Sequence, residues 1–471
     1  MPKLPAEIVP LVLECLRWRV HDLALCCLVC KLWHTFATPW LYERIWLRDQ
    51  TRLLRVFETL AAHPALAQHV RILELRVFPF GLRAERLELL ESQIVQSIRA
   101  AENLEVLCWT RTGSLSDRVI LSMFEHMHQL RRLELTGNSR TWSPALLATR
   151  LPPSVRDLSF ILPDRAVLEH IPLMLQHLDA PLQGINLLCM DSSLVTDAWL
   201  STLATLAPSL QRLSLVGCKQ VHGEGLRALV TPHLREVALE SLALEAGVLS
   251  SLALRMPHLT SLTVTYPKKV ADAPAFFQEV SHIWAMCHRL HTMVLYARGG
   301  SAPVVDGNSY VGDDSDDAEE GTLRDTAPRM STACLHQWAA SPAAATLRVL
   351  RMPGVGVSLG QLSVMTSSPI AQGLRELVVQ LYEYDMDTLG TCLAACTQLR
   401  TFHMFSHLRS DAQYTEADML RLAQAGGPNL THIGFRNRVW LVEVAATGER
   451  VLRPWDKSAG LFPSSMLVVR S

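Results

Sequence analysis

Cys26, Cys27, Cys30 and His34 lie within nine residues, and Cys27-Leu-Val-Cys30 has the spacing of a metal-binding or redox pair. A zinc site needs a second pair at suitable spacing, and a redox pair needs a strand–helix–strand setting. The sequence offers neither, so these thiols read as small apolar groups on a helix. Cys392 and Cys396 stand one helical turn apart, which again suits burial against a strand layer better than a metal. His126 and His128, two residues apart, do not share a helical face. No nucleophile elbow, phosphate loop, dinucleotide fingerprint or HExxH motif occurs. No catalytic residue, cofactor or metal is therefore expected, and the elements are read as positioning contacts rather than reacting groups.

The composition suits that reading. Of 471 residues, 49% are apolar and 19% charged, as in a folded chain with much buried surface. Basic and acidic residues nearly cancel, 44 against 45, so nucleic acid is not an expected partner. Eleven cysteines, an odd number spread along the chain, fit reduced thiols better than a disulfide framework.

The first twenty residues, MPKLPAEIVPLVLECLRWRV, are oily. A secretory leader would need a basic start and an unbroken apolar run, but Lys3 stands alone and Pro10 and Glu14 interrupt. No stretch reaches the roughly 18 apolar residues of a membrane span. The mature chain is expected to start near Met1, in the cytosol or nucleus. Pro5 suits a first helical turn, and Asp22 is expected to cap a second helix reading LALCCLVC. A third helical segment carries Lys31 and Trp33 and is expected to end at Pro39. Three short helices cannot enclose so much apolar surface by themselves. The surplus must meet either the rest of the chain, as an N-terminal cap, or a partner.

LPAEI, then Leu16, then DLALCCLVCKLW resembles the F-box consensus over residues 4 to about 46. The resemblance implies docking to the Skp-type adaptor of a Skp–cullin–F-box ubiquitin ligase. The residues that carry it over are Leu4, Pro5, Ile8, Leu16, Leu23, Leu28, Val29, Cys30 and Trp33. It does not say which of them face the adaptor and which are internal core. Pro10 departs from the pattern, because inside a helix it removes one hydrogen bond. It is harmless if the helix begins near Pro5 or later and tightens or bends in its first turn; otherwise the first helix is shorter than usual.

From residue 70 the pattern LxxLxL recurs thirteen times, starting at Val70, Leu104, Leu130, Val155, Leu175, Leu210, Leu234, Leu259, Leu290, Leu347, Leu374, Leu399 and Leu430. Six of the twelve intervals are 24 to 27 residues, and four are 31 to 35. This is the leucine-rich-repeat template, in which each strand and returning helix is stable only when stacked on its neighbours. LRRLELTGN, ending in Asn138, and LQRLSLVGC, ending in Cys218, resemble the cysteine-containing repeats that accompany F-boxes. Thr196 or Asp197, and Asp385, are the expected caps of helices between strands.

The expected fold is therefore α/β: a small three-helix F-box over 1–48, then a leucine-rich-repeat solenoid over 49–436, with parallel strands on its concave face and helices on its convex face. An acidic insertion over 299–329, with six acids between 313 and 320, is expected to be a solvated loop. Alternating apolar runs around Thr447-Gly448 predict a capping hairpin and tail over 437–471.

By strand alternation, the side chains between the inward leucines form the surface open to a target. Arg132, Glu134, Arg212, Glu236, Glu240, His403, Phe405 and Arg436 are the candidates, beside Glu74, Arg76, Asp157 and Glu376. Their charges are mixed and favour no ligand class. Two functions follow: a non-catalytic substrate receptor of a Skp–cullin–F-box ligase, or a repeat scaffold that binds a protein without promoting ubiquitylation. Co-purification with adaptor and cullin separates them.

Overall fold

Apolar residues at every second strand position set the architecture. The computed structural model describes residues 5–267, 273–297, 328–383, 385–406 and 415–455. These fall into two units, divided after Ala243. In each, strands form one layer and helices the other, the α/β arrangement of a leucine-rich-repeat solenoid.

The first unit opens with helices α1 (Ile8–Cys15), α2 (Val20–Cys27) and α3 (Lys31–Glu43). Eight strands follow: β1 (Arg44–Leu47), β2 (Ile72–Leu75), β3 (Val106–Trp109), β4 (Arg132–Thr136), β5 (Asp157–Ile161), β6 (Gly184–Thr196), β7 (Arg212–Gln220) and β8 (Glu236–Glu240). Each pairs in parallel with the next. The alternation is plain in β4, where Leu133 and Leu135 are buried while Arg132 is exposed. One row on the open face runs through Trp46, Glu74, Cys108, Glu134, Ser159, Asn186, Ser214 and Ala238 in register.

The second unit holds six parallel strands: β9 (Ser261–Tyr266), β10 (Thr292–Ala297), β11 (Val349–Val357), β12 (Glu376–Leu381), β13 (Thr401–Ser406) and β14 (His432–Phe435). Then β15 (Arg438–Val444) and β16 (Arg450–Pro454) pair antiparallel, joined through a turn in which Gly448 takes a φ of 85°. β15 also pairs with β14, so the edge of the last parallel strand is covered. Most of the acidic segment 299–329 and the tail 456–471 lie outside the described residues.

Carboxylates tie one repeat to the next. Asp117, on the first turn of one helix, accepts the N–H of Ser143 at 2.7 Å, just before the next helix. Asp164 accepts the N–H of Ser139 at 2.8 Å. Asp197 accepts three N–H groups of the following repeat, from His222, Gly223 and Gly225. In the second unit Glu279 accepts the N–H of Gly247 and Leu249 at 2.7 and 3.0 Å. Most of these bonds satisfy backbone groups at or just before a helix start, while that of Asp164 holds the loop after β4.

Several local expectations change. LQHLDA from Leu175 is not a strand: Leu175 is buried in the last turn of helix Arg165–Gln176. The strand of that repeat begins instead at Gly184, with Leu182, Ile185 and Leu187 in the inward positions. Intervals of 20 and 35 residues thereby become 27 and 28. Pro39 does not end the third helix but sits within it, and the helix runs on to Glu43. Asp22 is not the cap of α2, because Arg19 holds that position and Asp22 lies one turn in, paired to Arg19 at 2.6 Å. Pro10 costs α1 no hydrogen bond. It is the third residue of an eight-residue helix, where the N–H has no intrahelical acceptor anyway. Of the two candidates before helix Asp197–Leu206, Thr196 is the cap, accepting from the N–H of Trp199.

Candidate protein-binding faces

Helices α1 to α3 close around a small core of Val9, Leu13, Leu23 and Ala37, with Leu16, Cys26, Cys27, Trp33, Phe36, Trp40 and Leu41 packed against it. That core consumes one side of each helix. The other side keeps Ile8, Leu11, Val20, Leu25, Leu28, Val29 and Leu32 exposed, with Leu28 at 82% and Val29 at 63%. Single exposed leucines are ordinary, but seven large apolar side chains on 25 residues of one small module are not.

The described residues that carry the F-box resemblance separate into three groups. Pro5, Ile8, Leu28, Val29 and Cys30 are exposed. Leu16 and Trp33 are half-buried against the core. Leu23 is 1% exposed and belongs to the core itself, so it has no surface to give an adaptor. The expectation of contact there is corrected: the helix turns Leu23 inward onto Val9 and Leu13. Leu4 lies outside the described residues. Leu11, Val20, Leu25 and Leu32 are exposed without having been singled out. The signal was in the sequence, since a helix apolar all round must leave some of its side chains uncovered when its core is this small.

A polar clamp joins the helices to the first strand. The Arg17 guanidinium donates twice to the Glu43 carboxylate, at 3.1 and 2.5 Å. Trp18, at a φ of 74°, lies between the guanidiniums of Arg17 and Arg44, which are 4.7 and 5.5 Å from its ring centroid. Arg44 in turn donates to Glu74 on β2 at 3.0 and 2.7 Å.

The open strand face is polar, and much of it is already paired. Arg212 donates twice to Asp157, at 2.9 and 2.6 Å. Arg351 donates to Glu376 in the second unit. Asn186 donates to Ser159 at 2.8 Å, and Ser159 donates to Glu134 at 3.4 Å. Cys108 sits between Glu74 and Glu134 in register, and its thiol is pushed up to about 12 by burial, with both carboxylates adding to it. It is no nucleophile at neutral pH. Arg132 and Glu236 are exposed.

Three of the expected contact residues are buried instead: Glu74, which Arg44 holds, and His403 and Glu240. His403 is fully covered: its ring leans over Gly434, where a Cβ would stand 2.0 Å from Nδ1, and meets the Phe405 ring at 4.7 Å. Burial lowers its pKa to about 4, against a weak raising contribution from the Arg436 backbone. Glu240 is 3% exposed, with its polar atoms engaged. None of the three is available to a target as it stands. Phe405 is half-buried, and Arg436 lies 5.2 Å over the Phe435 ring.

Among the described residues no group of three or more His, Cys, Asp or Glu side chains is placed to hold a metal ion. No helix among them is long and apolar enough to cross a membrane.

No family model matches the sequence, and no curated protein matches it. Solved structures do. One is the Rad7 and Elc1 complex in yeast, at 13% identity and a TM-score of 0.47, covering 91% of this chain and 92% of that one. Another is the leucine-rich-repeat protein LegL7 from Legionella pneumophila, at 13% identity and 0.35, covering 74% and 92%. A third is the TLR13–ssRNA13 complex, at 12% identity and 0.36, covering 79% and 58%.

Proposed function

We propose that this chain is a non-catalytic substrate receptor of a Skp–cullin–F-box ubiquitin ligase. Its α1–α3 module docks a Skp-family adaptor, and the open strand face of its repeats holds a target protein. One observation carries the reading: Ile8, Leu11, Val20, Leu25 and Leu32 on the helices, with Leu28 and Val29 in the turn between α2 and α3, stay exposed in a segment whose sequence resembles an F-box. Covering a large aliphatic side chain contributes about 1.5–3 kcal/mol, so even a few of these suffice for a stable contact.

In this role the protein supplies no reacting group. It raises the effective concentration of a target beside a catalyst that other subunits hold. All eleven cysteines are free thiols, which suits a reducing compartment such as the cytosol or nucleus.

The test is co-expression with a Skp-family adaptor and a cullin, followed by affinity purification through this chain. The adaptor and cullin are expected in stoichiometric amounts. Their absence removes the receptor reading. Recovery of both, with no target that accumulates when the adaptor face is mutated, favours a scaffold that does not promote ubiquitylation.

A further inference from the structure

Two arginines leave neighbouring strands side by side. Arg48 follows Leu47, Arg76 follows Leu75, and those leucines are register partners in β1 and β2. The Arg76 N–H donates to the Leu47 carbonyl at 3.3 Å, which holds the pair in step. Adjacent parallel strands lie about 4.8 Å apart, so the two side chains start from neighbouring positions. Both residues are exposed.

Neither guanidinium has a hydrogen-bond partner among the described residues, although Arg76 is ion-paired. Arg48 sits 3.5 Å from the centroid of the Trp46 ring, a stacking distance, and makes no ion pair or hydrogen bond among the described residues. Arg76 approaches Glu74 and Glu134 only at 3.7 and 3.8 Å, too far for hydrogen bonds. Glu74 is already held by Arg44. Burial lowers the pKa of Arg48, and so do Arg76 and Arg44, while Glu74 opposes them. Like charges placed side by side on a sheet repel. This arrangement has an obvious complement: an anion between the two forks.

We propose that Arg48 and Arg76, with Arg48 braced on the Trp46 ring, form a docking site for carboxylate side chains of an acidic peptide segment in the target protein. The proposal deepens the receptor reading and rests on it only in taking the peptide to be the target's. Charge selects an anion: Arg44, Arg48 and Arg76 against Glu74 and Glu134 leave one positive charge. The planar fork of arginine also fits the two oxygens of a carboxylate.

The experiment uses the full chain and four fluorescein-labelled Gly/Ser peptides, carrying two Glu, two Gln, two Lys or two phosphoserines. Binding is read by fluorescence anisotropy at low and high salt. Saturable binding of the Glu peptide is expected, weaker at high salt, and absent for the Gln and Lys peptides. Arg48→Gln and Arg76→Gln should each weaken it by about tenfold. Arg99→Gln, an exposed arginine in the last turn of helix Ala84–Ala100, should leave it unchanged. Equal binding of Glu and Gln peptides, preference for phosphoserine, or an equal loss with Arg99→Gln would overturn the site. Thermal melts of the variants report folding. Adaptor co-purification from the same preparations reads the receptor function separately.

Discussion

The carboxylate of Asp197 accepts the backbone N–H of Gly225, 2.8 Å away in the next repeat. It also accepts from His222 at 2.9 Å and Gly223 at 3.2 Å. Burial alone would raise its pKa, but the three backbone donors outweigh that and hold it below the usual carboxylate range. A depressed folded-state pKa means that the stabilisation is fully present above the unfolded value of about 4 and is lost as pH falls through the folded value. Asp197→Ala should lower stability by about 1–3 kcal/mol at neutral pH, because the three donors lose their acceptor. The midpoint of urea unfolding at pH 7 and pH 3 checks this: the gap between wild type and variant should narrow at pH 3.

His403 gives a second pH dependence with its own window. Its folded pKa, about 4, lies below the unfolded value of about 6.5. Above pH 6.5 both states are neutral and nothing is lost. As pH falls from 6.5 towards 4 the unfolded state takes up a proton that the buried ring refuses, so stability drops, in total by about 3 kcal/mol. His403→Leu should flatten the stability profile between pH 7 and pH 4. A slope unchanged by that substitution would assign it to other groups.

Leu28 and Val29 provide the test of the proposed adaptor face. At 82% and 63% exposure they contribute little to the module's own core. Leu28→Asp and Val29→Asp should leave the thermal midpoint of the isolated chain almost unchanged, while adaptor capture falls at least about tenfold for each. Leu23→Asp is the contrasting case. It puts a charge into the core beside Val9 and Leu13, so it should unfold the module outright.

Arg17 and Glu43 form a pair whose two ends differ in exposure, 43% and 11% by side chain. Arg17→Met leaves a mostly buried carboxylate without its partner and should cost about 2–3 kcal/mol. Glu43→Gln added to it should recover much of that loss, because the stranded charge is gone. Hydrogen exchange of the α2 and α3 amides in the two variants reads the difference.

The repeat architecture was legible because its cause is local. A strand that buries one face must alternate, and twelve such alternations, half of them following at 24 to 27 residues, leave few other folds. The errors are equally local. Leu175, Leu178 and Ala180 satisfy the same spacing from the end of a helix, since three and five residues also separate positions on one side of a helical turn and its exit. The first strand escaped notice because Tyr42-x-x-Ile45-x-Leu47 starts with an aromatic residue inside α3.

The binding faces were harder to read. A helical period places Leu23 and Leu25 on different faces but does not say which face meets Val9. On the strand face, alternation sends His403 outward, but only the fold shows that Gly434 beside it offers no side chain, so that the imidazole falls into the gap. The unpaired state of Arg48 depends on Glu74 being taken by Arg44, a competition between residues 30 positions apart.

Helix α3 ends at Glu43 and β1 begins at Arg44, with no residue between them. The clamp of Arg17, Trp18 and Arg44 spans the same joint. No linker therefore separates the leading helices from the first strands. If the proposed adaptor and peptide contacts hold, the separation between the two cargoes is set by this junction and its clamp and not by a tether's length.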